Sequence, residues 1–292
     1  MEANSTGSTI DAGEASSDRI AGFIAFIREL NDLLQREFDL SPSNSAVTLM
    51  ISHLSRLLRL SYSPEEAQAV LNHEYIRLHQ RSLQDKLSEA EFLAELKDAQ
   101  DMCKSEGSIM DIVTSLPNWH IYVALVGKEL SILRTYIREK GQVDEPPIVF
   151  VGSGPMPISP IILHLFGEVE VICVEMNEAA YEASCSLLAH LGLGDKVSVV
   201  LVNGSDFDYS PYRHIFMASL VHNKQEVLEQ IQRTSSNPLV AVRTAEGMKQ
   251  MMYEAIDETQ LSEQRWRIAG RTHPDQDLVI NSTLFLERDE RE

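Results

Sequence analysis

A glycine-rich turn and a carboxylate, separated by one helix length, are the residues of this chain whose types and spacing most clearly suggest chemistry. The apolar run 148–151 (Ile-Val-Phe-Val) leads into Gly-Ser-Gly-Pro at 152–155, and the apolar run 171–174 ends in Glu175. Glycines after a strand let the backbone approach a ligand, and an acid at the end of the next strand can accept both hydroxyls of a ribose. The pattern therefore predicts a nucleoside-binding site.

The same turn argues against a dinucleotide. Pro157 stands where a dinucleotide-binding turn has its third glycine. A proline supplies no backbone N–H, so this turn is poorly equipped to bind a pyrophosphate. A nucleoside without phosphates fits better, and S-adenosylmethionine (SAM) is the leading candidate. The alternative is a tight strand-to-helix turn without a chemical role.

Composition narrows the class of protein. The 292 residues are enough for a sizeable core and two domains, and the formal net charge of −19 opposes binding to nucleic acids and anionic membranes. No apolar run approaches the roughly 20 residues of a membrane span, and no segment resembles a signal peptide. The three cysteines indicate reduced thiols. We expect a cytoplasmic protein without nucleic-acid or membrane partners, and without a metal, because no ligand spacing is present.

The spacing of apolar residues changes between the two halves of the chain. In the first half it is helical, and Ser63 with Glu66 forms the pattern of a capping box at a helix start. We expect residues 1–17, rich in Ser, Gly and Ala, to be disordered. Residues 18–143 are expected to form a helical N-terminal domain, and residues 144–292 a SAM-binding Rossmann-like domain.

The second half alternates short β-rich runs with helical patterns. The predicted strands are 148–152, 170–175, 197–202, 214–218 and 239–243, and the predicted helices are 158–166, 177–191, 224–232 and 247–256. Such alternation requires parallel strands with crossover helices. The final run, 278–287, has no following helix and is expected to be an antiparallel edge strand. The predicted fold is α/β: a SAM-methyltransferase-like, mostly parallel doubly wound sheet, preceded by an all-α cap over the carboxyl ends of the strands.

Four segments, lying in order over most of the chain, carry unusual combinations of residues. They are Val-Gly-Ser-Gly-Pro-Met-Pro at 151–157, Pro-Asn-Trp-His-Ile-Tyr at 117–122 with Glu129, Arg-Thr-Ala-Glu-Gly-Met-Lys-Gln-Met-Met-Tyr at 243–253, and His273-Pro274 followed by Val-Ile-Asn-Ser at 279–282. These segments resemble, one by one, motifs of the nicotianamine synthases and their bacterial relatives. Leu40–Ser43 and Glu89–Glu95 are similar to that family's amino-terminal pattern. The sequence is therefore identified as a member of the nicotianamine synthase family.

The resemblance implies a reaction distinct from methylation. Enzymes of this family transfer the 3-amino-3-carboxypropyl (aminobutanoyl) arm of SAM to an amine and release 5′-methylthioadenosine. A sulfonium activates all three attached carbons, so the carbon that faces the nucleophile reacts. The attacking amine must first lose a proton. A carboxylate with a raised pKa, aided by a tyrosine, suits that task.

By family position, Glu95 and Tyr122 match the catalytic carboxylate and tyrosine. The assignment of Glu95 depends on a one-residue gap, so Glu91 or Glu89 could take its place. Tyr122 lies in an apolar helical stretch and could instead be a core residue.

The residues predicted to bind SAM lie after the strand ends. Asp206 is expected on the adenine amine, unless it is simply a turn residue. Ala218 and Ser219 are small enough to form the floor under the methionine arm. The full set is Gly152, Ser153, Gly154, Pro155, Glu175, Met176, Ser205, Asp206, Phe207, Ala218 and Ser219.

The acceptor is predicted to bind Glu129, Arg243, Glu246 and His273. Arg243 could form a bidentate pair with a carboxylate, and Glu246 beside it could bind an imidazole or an amine. An acid at 246 resembles the bacterial enzymes that use histidine, although it could merely cap a helix. Glu129 could hold substrate or pair with Arg134.

The resulting functional prediction is an enzyme that transfers one aminobutanoyl unit from SAM to histidine, in the biosynthesis of an opine-type metallophore such as staphylopine or pseudopaline. A separate opine dehydrogenase would then use the product. A true nicotianamine synthase joining three SAM units, a SAM-dependent methyltransferase and a non-catalytic SAM-binding regulator are the alternatives. A homodimer is one option for the assembly.

Overall fold

The computed structural model describes residues 7–141, 146–275 and 278–289. The chain forms two compact units: a helical unit of Met1–Ala90 with Gly247–Met252, and a sheet unit of Glu91–Glu246 with Tyr253–Glu292. This division lies inside a helix, whereas the sequence pattern changes near residue 143. The helices over 109–139 share a hydrophobic core with the sheet, and contacts therefore group them with it.

The helical unit is built from apolar stripes on successive helices. The predicted capping box is confirmed: Ser63 Oγ accepts the N–H of Glu66 at 3.2 Å, and the Ser63 N–H donates to Glu66 at 2.8 Å. Of the residues expected to be disordered, 1–6 lie outside the described part of the chain, and Gly7–Ser17 begin the first helix. The helices are α1 (Gly7–Arg36), α2 (Ser45–Leu58), α3 (Pro64–Leu71) and the first part of α4 (Glu74–Met102).

The predicted helix over 247–256 is wrong. The structure has a short 3₁₀ turn over Gly247–Met251, which belongs to the helical unit. Gly247 has a φ of +52°, outside the helical region. The side-chain amides of Gln80 and Gln84 donate to the Gln250 carbonyl at 2.9 and 2.7 Å. These bonds use the backbone acceptor that a continuing helix would need.

In its described residues, the sheet unit contains the rest of α4, six further helices and seven strands. The helices are α5 (Ile109–Thr114), α6 (Trp119–Glu139), α7 (Ile158–Gly167), α8 (Glu178–His190), α9 (Lys224–Thr234) and α10 (Glu258–Glu263). The strands are β1 (Ile148–Val151), β2 (Val171–Glu175), β3 (Val197–Leu201), β4 (His214–Met217), β5 (Leu239–Thr244), β6 (Trp266–Thr272) and β7 (Ser282–Arg288).

The sheet order is β3-β2-β1-β4-β5-β7-β6. The five predicted parallel strands are confirmed. The final strand, β7, is antiparallel as predicted, but the prediction that it lies at the edge is wrong, because β6 covers its outer side. β6 was not predicted, because Arg267 and Arg271 interrupt its apolar run; the register also shifts between Ile268 and Gly270.

Helices pack on both faces of the sheet. Phe150 belongs to a buried cluster that includes residues of α5, α6, α7 and α8. The neighbouring Val149 and Val151 point to the opposite face and belong to a second cluster with α9 and α10. The sheet is therefore doubly wound, as the alternating pattern predicted.

The carboxyl ends of the parallel strands meet along one edge of the sheet. Val151 is in register with Val174 of β2 and with Met217 of β4, and Met217 is in register with Val242 of β5. The strand order reverses between β1 and β4, and ligands of such sheets bind at this crevice. Among the described residues no helix is long and apolar enough to cross a membrane.

Candidate active site

The turn after β1 requires both of its glycines. Gly152 and Gly154 have φ angles of +77° and +68°. A Cβ on Gly152 would lie 2.5 Å from Val221 Cγ2, and a Cβ on Gly154 would lie 2.7 Å from Glu95 Oε2. The turn is thus shaped for close approach, and it places the carboxylate of Glu95 directly beside the predicted nucleoside site.

Glu175 is buried and holds this turn in place. One carboxylate oxygen accepts the N–H of Gly154 at 2.9 Å, and the other accepts the N–H of Asn177 at 2.9 Å. Each carboxylate oxygen has two lone pairs, so one acceptor position per oxygen lies outside these bonds. The geometry therefore suits an acid that positions the turn and also accepts two ribose hydroxyls.

The segment after β3 adjoins the end of β2, because the Val202 N–H donates to the Glu175 carbonyl at 2.9 Å. Asn203 Oδ1 accepts the N–H of Ser205 at 3.1 Å, and Phe207 stacks against aromatic neighbours. Asp206 is exposed. Its N–H donates to the Asn203 carbonyl, so both the ligand role and the turn role remain compatible with the geometry.

The other predicted SAM residues surround the same strand ends. Ser153 and Pro155 are buried in the turn, whereas Met176 is 63% exposed. At the end of β4, Ser219 Oγ accepts a hydrogen bond from Asn281 Nδ2 at 2.6 Å. The segment predicted to lie beneath the methionine arm is therefore held by a hydrogen bond from the residue that precedes β7.

Two carboxyls and two phenols form a cluster beside the glycine turn. Tyr253 donates its hydroxyl to the two carboxylate oxygens of Glu91, with O···O distances of 3.3 and 3.2 Å. Burial raises the pKa of Glu91 to about 7. Burial, followed by the charges of Glu91 and Glu175, raises the pKa of Glu95 well above its ordinary value. Glu95 therefore has a higher proton affinity than an exposed glutamate, which suits a group that takes a proton from an amine.

The phenols remain protonated. Burial raises the pKa of Tyr122, and the charge of Glu95 raises it further. Burial also raises the pKa of Tyr253, with the charge of Glu91 as the next cause. Both hydroxyls are thus hydrogen-bond donors, and the cluster can accept a proton from an amine and orient its nitrogen.

Arg243 is held by Glu129 in a bidentate pair. Arg243 Nε and Nη2 donate to the two Glu129 carboxylate oxygens at 2.9 and 3.0 Å, and Nη2 also donates to Ser159 Oγ at 3.1 Å. Thr283 Oγ1 donates to Glu129 at 2.7 Å. The predicted Glu129–Arg134 pair is wrong, because Arg134 donates instead to a backbone carbonyl. The bonds of Arg243 leave both N–H groups of Nη1 for another acceptor.

Glu246 lies near Arg271 and His273, and among the described residues it forms no ion pair with Arg243. Its carboxylate lies 3.8 Å from Arg271 Nη1 and 3.6 Å from His273 Nδ1. Glu129 already binds one edge of the Arg243 guanidinium. His273 is 69% exposed. The four predicted acceptor residues therefore form two pairs, Arg243 with Glu129 and His273 with Glu246.

Four residues of the site were not predicted individually. Tyr253 and Asn281 lie inside segments that resemble the family motifs, so a signal for them was present. Ser159 and Thr283 bind the Arg243–Glu129 pair, and no local pattern distinguishes them. Within the described ranges, no group of three or more His, Cys, Asp or Glu side chains could hold a metal ion.

A doubly wound sheet with this turn defines the SAM-methyltransferase-like class of α/β fold. The family model described as "Nicotianamine synthase protein" matches residues 16–292. The chain belongs to the nicotianamine synthase family. Nicotianamine synthase 2 of Oryza sativa subsp. japonica is 26% identical over 94% of this chain and 85% of its own length.

Other relatives match a shorter part. Probable nicotianamine synthase 7 of Hordeum vulgare is 24% identical over 64% of this chain, and the match spans only 59% of that relative's length. A crystal structure of a glutamate-to-glutamine variant of MtNAS in complex with S-adenosylmethionine has a TM-score of 0.77 at 20% identity, covering 91% of this chain and 98% of that one. MtNAS in complex with MTA and tNA gives a TM-score of 0.76 at 20% identity, covering 90% and 96%. These likenesses establish the fold.

Proposed function

We propose that the protein transfers the aminobutanoyl group of SAM to the amine of histidine and releases 5′-methylthioadenosine. The observation that carries this proposal is the position of Glu95: a carboxyl with a raised pKa lies against the glycine turn, in a cluster with a protonated Tyr122. A methyltransferase acting on other nucleophiles has less need of a buried base at this point.

SAM is the proposed co-substrate. The glycine turn, the acceptor positions of Glu175 and the small residues Ala218 and Ser219 suit its ribose and its methionine arm. The crystal structure of the MtNAS variant with S-adenosylmethionine, which has the same fold, supports this choice. Asp206 is proposed to accept a hydrogen bond from the adenine amine.

The proposed step is a displacement at the arm carbon attached to sulfur. Glu95 takes a proton from the acceptor ammonium, and Tyr122 orients the freed nitrogen. The nitrogen lone pair forms a bond to the carbon, the carbon–sulfur bond breaks, and sulfur keeps its electron pair in methylthioadenosine. One proton is released for each bond formed. All three carbons bonded to the sulfonium sulfur are activated. The choice of the arm carbon over the methyl group therefore depends on which carbon faces the acceptor nitrogen.

The proposed acceptor is a single histidine. The N–H groups of Arg243 Nη1 are proposed to bind its carboxylate, while Glu129 fixes the other edge of the guanidinium. Glu246 and His273 are proposed to contact the acceptor as a separate carboxylate–imidazole pair. The product would carry amine and carboxylate donors suited to a metallophore precursor, which an opine dehydrogenase would complete.

Synthesis of nicotianamine from three SAM units is the second candidate. The match of the family model over residues 16–292 and the complex of MtNAS with MTA and tNA favour it.

Incubation with SAM alone, and with SAM plus each histidine enantiomer, followed by mass analysis, distinguishes histidine transfer from nicotianamine synthesis. Histidine transfer gives a single-unit adduct and one equivalent of methylthioadenosine, and no nicotianamine forms from SAM alone. A three-unit product from SAM alone would replace the histidine proposal, and S-adenosylhomocysteine would indicate methylation.

A further inference from the structure

A lysine ammonium is buried next to the predicted floor of the methionine arm. Lys224 is only 6% exposed. Its Nζ donates to the backbone carbonyls of Ser219 and Val221 at 2.7 and 2.9 Å. The loop between β4 and α9 is thus folded around a positive charge.

This position is unfavourable for a cation in two ways. Burial removes the ammonium from water, which disfavours the charged form. Lys224 is also the first residue of α9, where the helix dipole is positive, and its N-cap Asn223 makes no side-chain capping bond. The two carbonyl bonds of the ammonium hold the loop that precedes α9.

Each of the two carbonyl groups belongs to a residue that contacts the proposed SAM site. Ser219 receives the hydrogen bond of Asn281, and Val221 Cγ2 lies against Gly152, so close that a Cβ on the glycine would be 2.5 Å away. Without the ammonium, both carbonyls would lose a charged donor in a buried loop. The loop would then relax away from the glycine turn.

We propose that Lys224 is a positioning residue that holds the loop 218–222 against the glycine turn and so aims the arm carbon of SAM, rather than its methyl group, at the acceptor amine. This inference rests on the proposed function. Because an error of about 1 Å in placement costs about 10²-fold in rate, loss of the ammonium should affect the transfer step more than SAM binding.

The test compares Lys224→Met, which removes the ammonium with little change in size, with Lys196→Met. Lys196 is 53% exposed and only pairs with Glu170 at the surface. Calorimetry gives the SAM affinity, and turnover is followed by methylthioadenosine, adduct and S-adenosylhomocysteine. For Lys224→Met we expect a SAM dissociation constant near that of wild type, an adduct rate lower by about 10²-fold, and less adduct per SAM consumed. Lys224→Arg, which keeps charge and donors, should recover part of the rate.

Unchanged kcat and product ratio in Lys224→Met would overturn the proposal. Loss of rate and SAM binding in parallel, without a change in product ratio, would also overturn it. If Lys224→Met does not fold, Val221→Ala removes the contact with Gly152 without burying a new group, and should lower the adduct rate while retaining SAM binding. A wild-type protein that releases no methylthioadenosine would overturn the proposed function. An active wild-type enzyme whose rate and products are unchanged in Lys224→Met would overturn only the proposal for Lys224.

Discussion

Glu95 and Tyr122 have buried surroundings that raise the pKa of both side chains. Glu95 lies against a glycine backbone, and the charges of Glu91, Glu175 and Asp98 act on its carboxyl group. Glu89, one of the alternatives for the base, is instead in an exposed pair with Lys86. The environment therefore favours Glu95 over Glu89, and the charge of Glu91 contributes to the raised pKa of Glu95.

Replacement of the catalytic pair should affect turnover and not SAM affinity. Glu95 and Tyr122 are proposed to act on the acceptor amine and not on SAM. Glu95→Gln and Tyr122→Phe should therefore each lower kcat by about 10²-fold. Methylthioadenosine release measures the rate, and calorimetry measures binding. Glu89→Gln should keep the wild-type rate. An active Glu95→Gln would move the base to Glu91.

The ribose assignment has its own test. Glu175→Ala should weaken the binding of SAM and of methylthioadenosine alike, by about 1–3 kcal/mol, because both share the ribose. Glu178→Ala, an exposed acid at the start of α8, is the matched control. Unchanged affinity in a folded Glu175→Ala protein would refute the assignment.

Glu91 makes stability depend on pH. Burial raises its pKa to about 7 from 4.5, so the folded state holds the proton more tightly than the unfolded chain. Its contribution is fully present below pH 4.5 and is lost as the pH rises through about 7. Glu91→Gln should therefore gain stability relative to wild type between about pH 5 and about pH 8 in urea unfolding. A constant difference across that range would contradict the raised pKa.

At the scale of elements, the buried Arg243–Glu129 pair ties α6 to β5 and, through Thr283, to β7. Breaking one partner leaves an uncompensated buried charge, so Glu129→Ala should lower the free energy of unfolding by about 3–5 kcal/mol. Glu170→Ala, which breaks an exposed pair with Lys196, should cost less than about 1 kcal/mol. Similar losses in urea unfolding would show that burial does not distinguish the two pairs.

Local patterns predicted the elements well and the long-range pairings poorly. The run 148–151, the capping box at Ser63 and the alternation from β1 to β5 depend on neighbouring residues, and these predictions were correct. The pairing of Glu129 with Arg243 joins residues 114 positions apart, so only the folded sheet brings them together. β6 was missed for a related reason, because its arginines are stabilised by partners outside the strand.

At the scale of the whole molecule, the fragment 142–292 tests how the parts depend on each other. It keeps the glycine turn but lacks Glu91, Glu95, Tyr122 and all of α6, whose Leu130 and Leu133 are buried in the sheet core. Removing α6 exposes that core and leaves Arg243 without Glu129. We expect no transfer activity and a large loss of cooperative unfolding relative to the full chain. Methylthioadenosine release by the fragment would show that the helices before residue 142 are dispensable.

The discontinuity of the helical unit has a consequence for how the protein is made. A ribosome produces Met1–Ala90 early, but Gly247–Met252, which completes that unit, emerges only after Glu91–Glu246 of the sheet unit has been translated. Until then the amides of Gln80 and Gln84 lack the Gln250 carbonyl that they bind in the finished protein. The contacts of the amino-terminal third with Gly247–Met252 can form only when the nascent chain has passed β5. Completion of the helical unit therefore depends on a segment translated long after the rest of that unit.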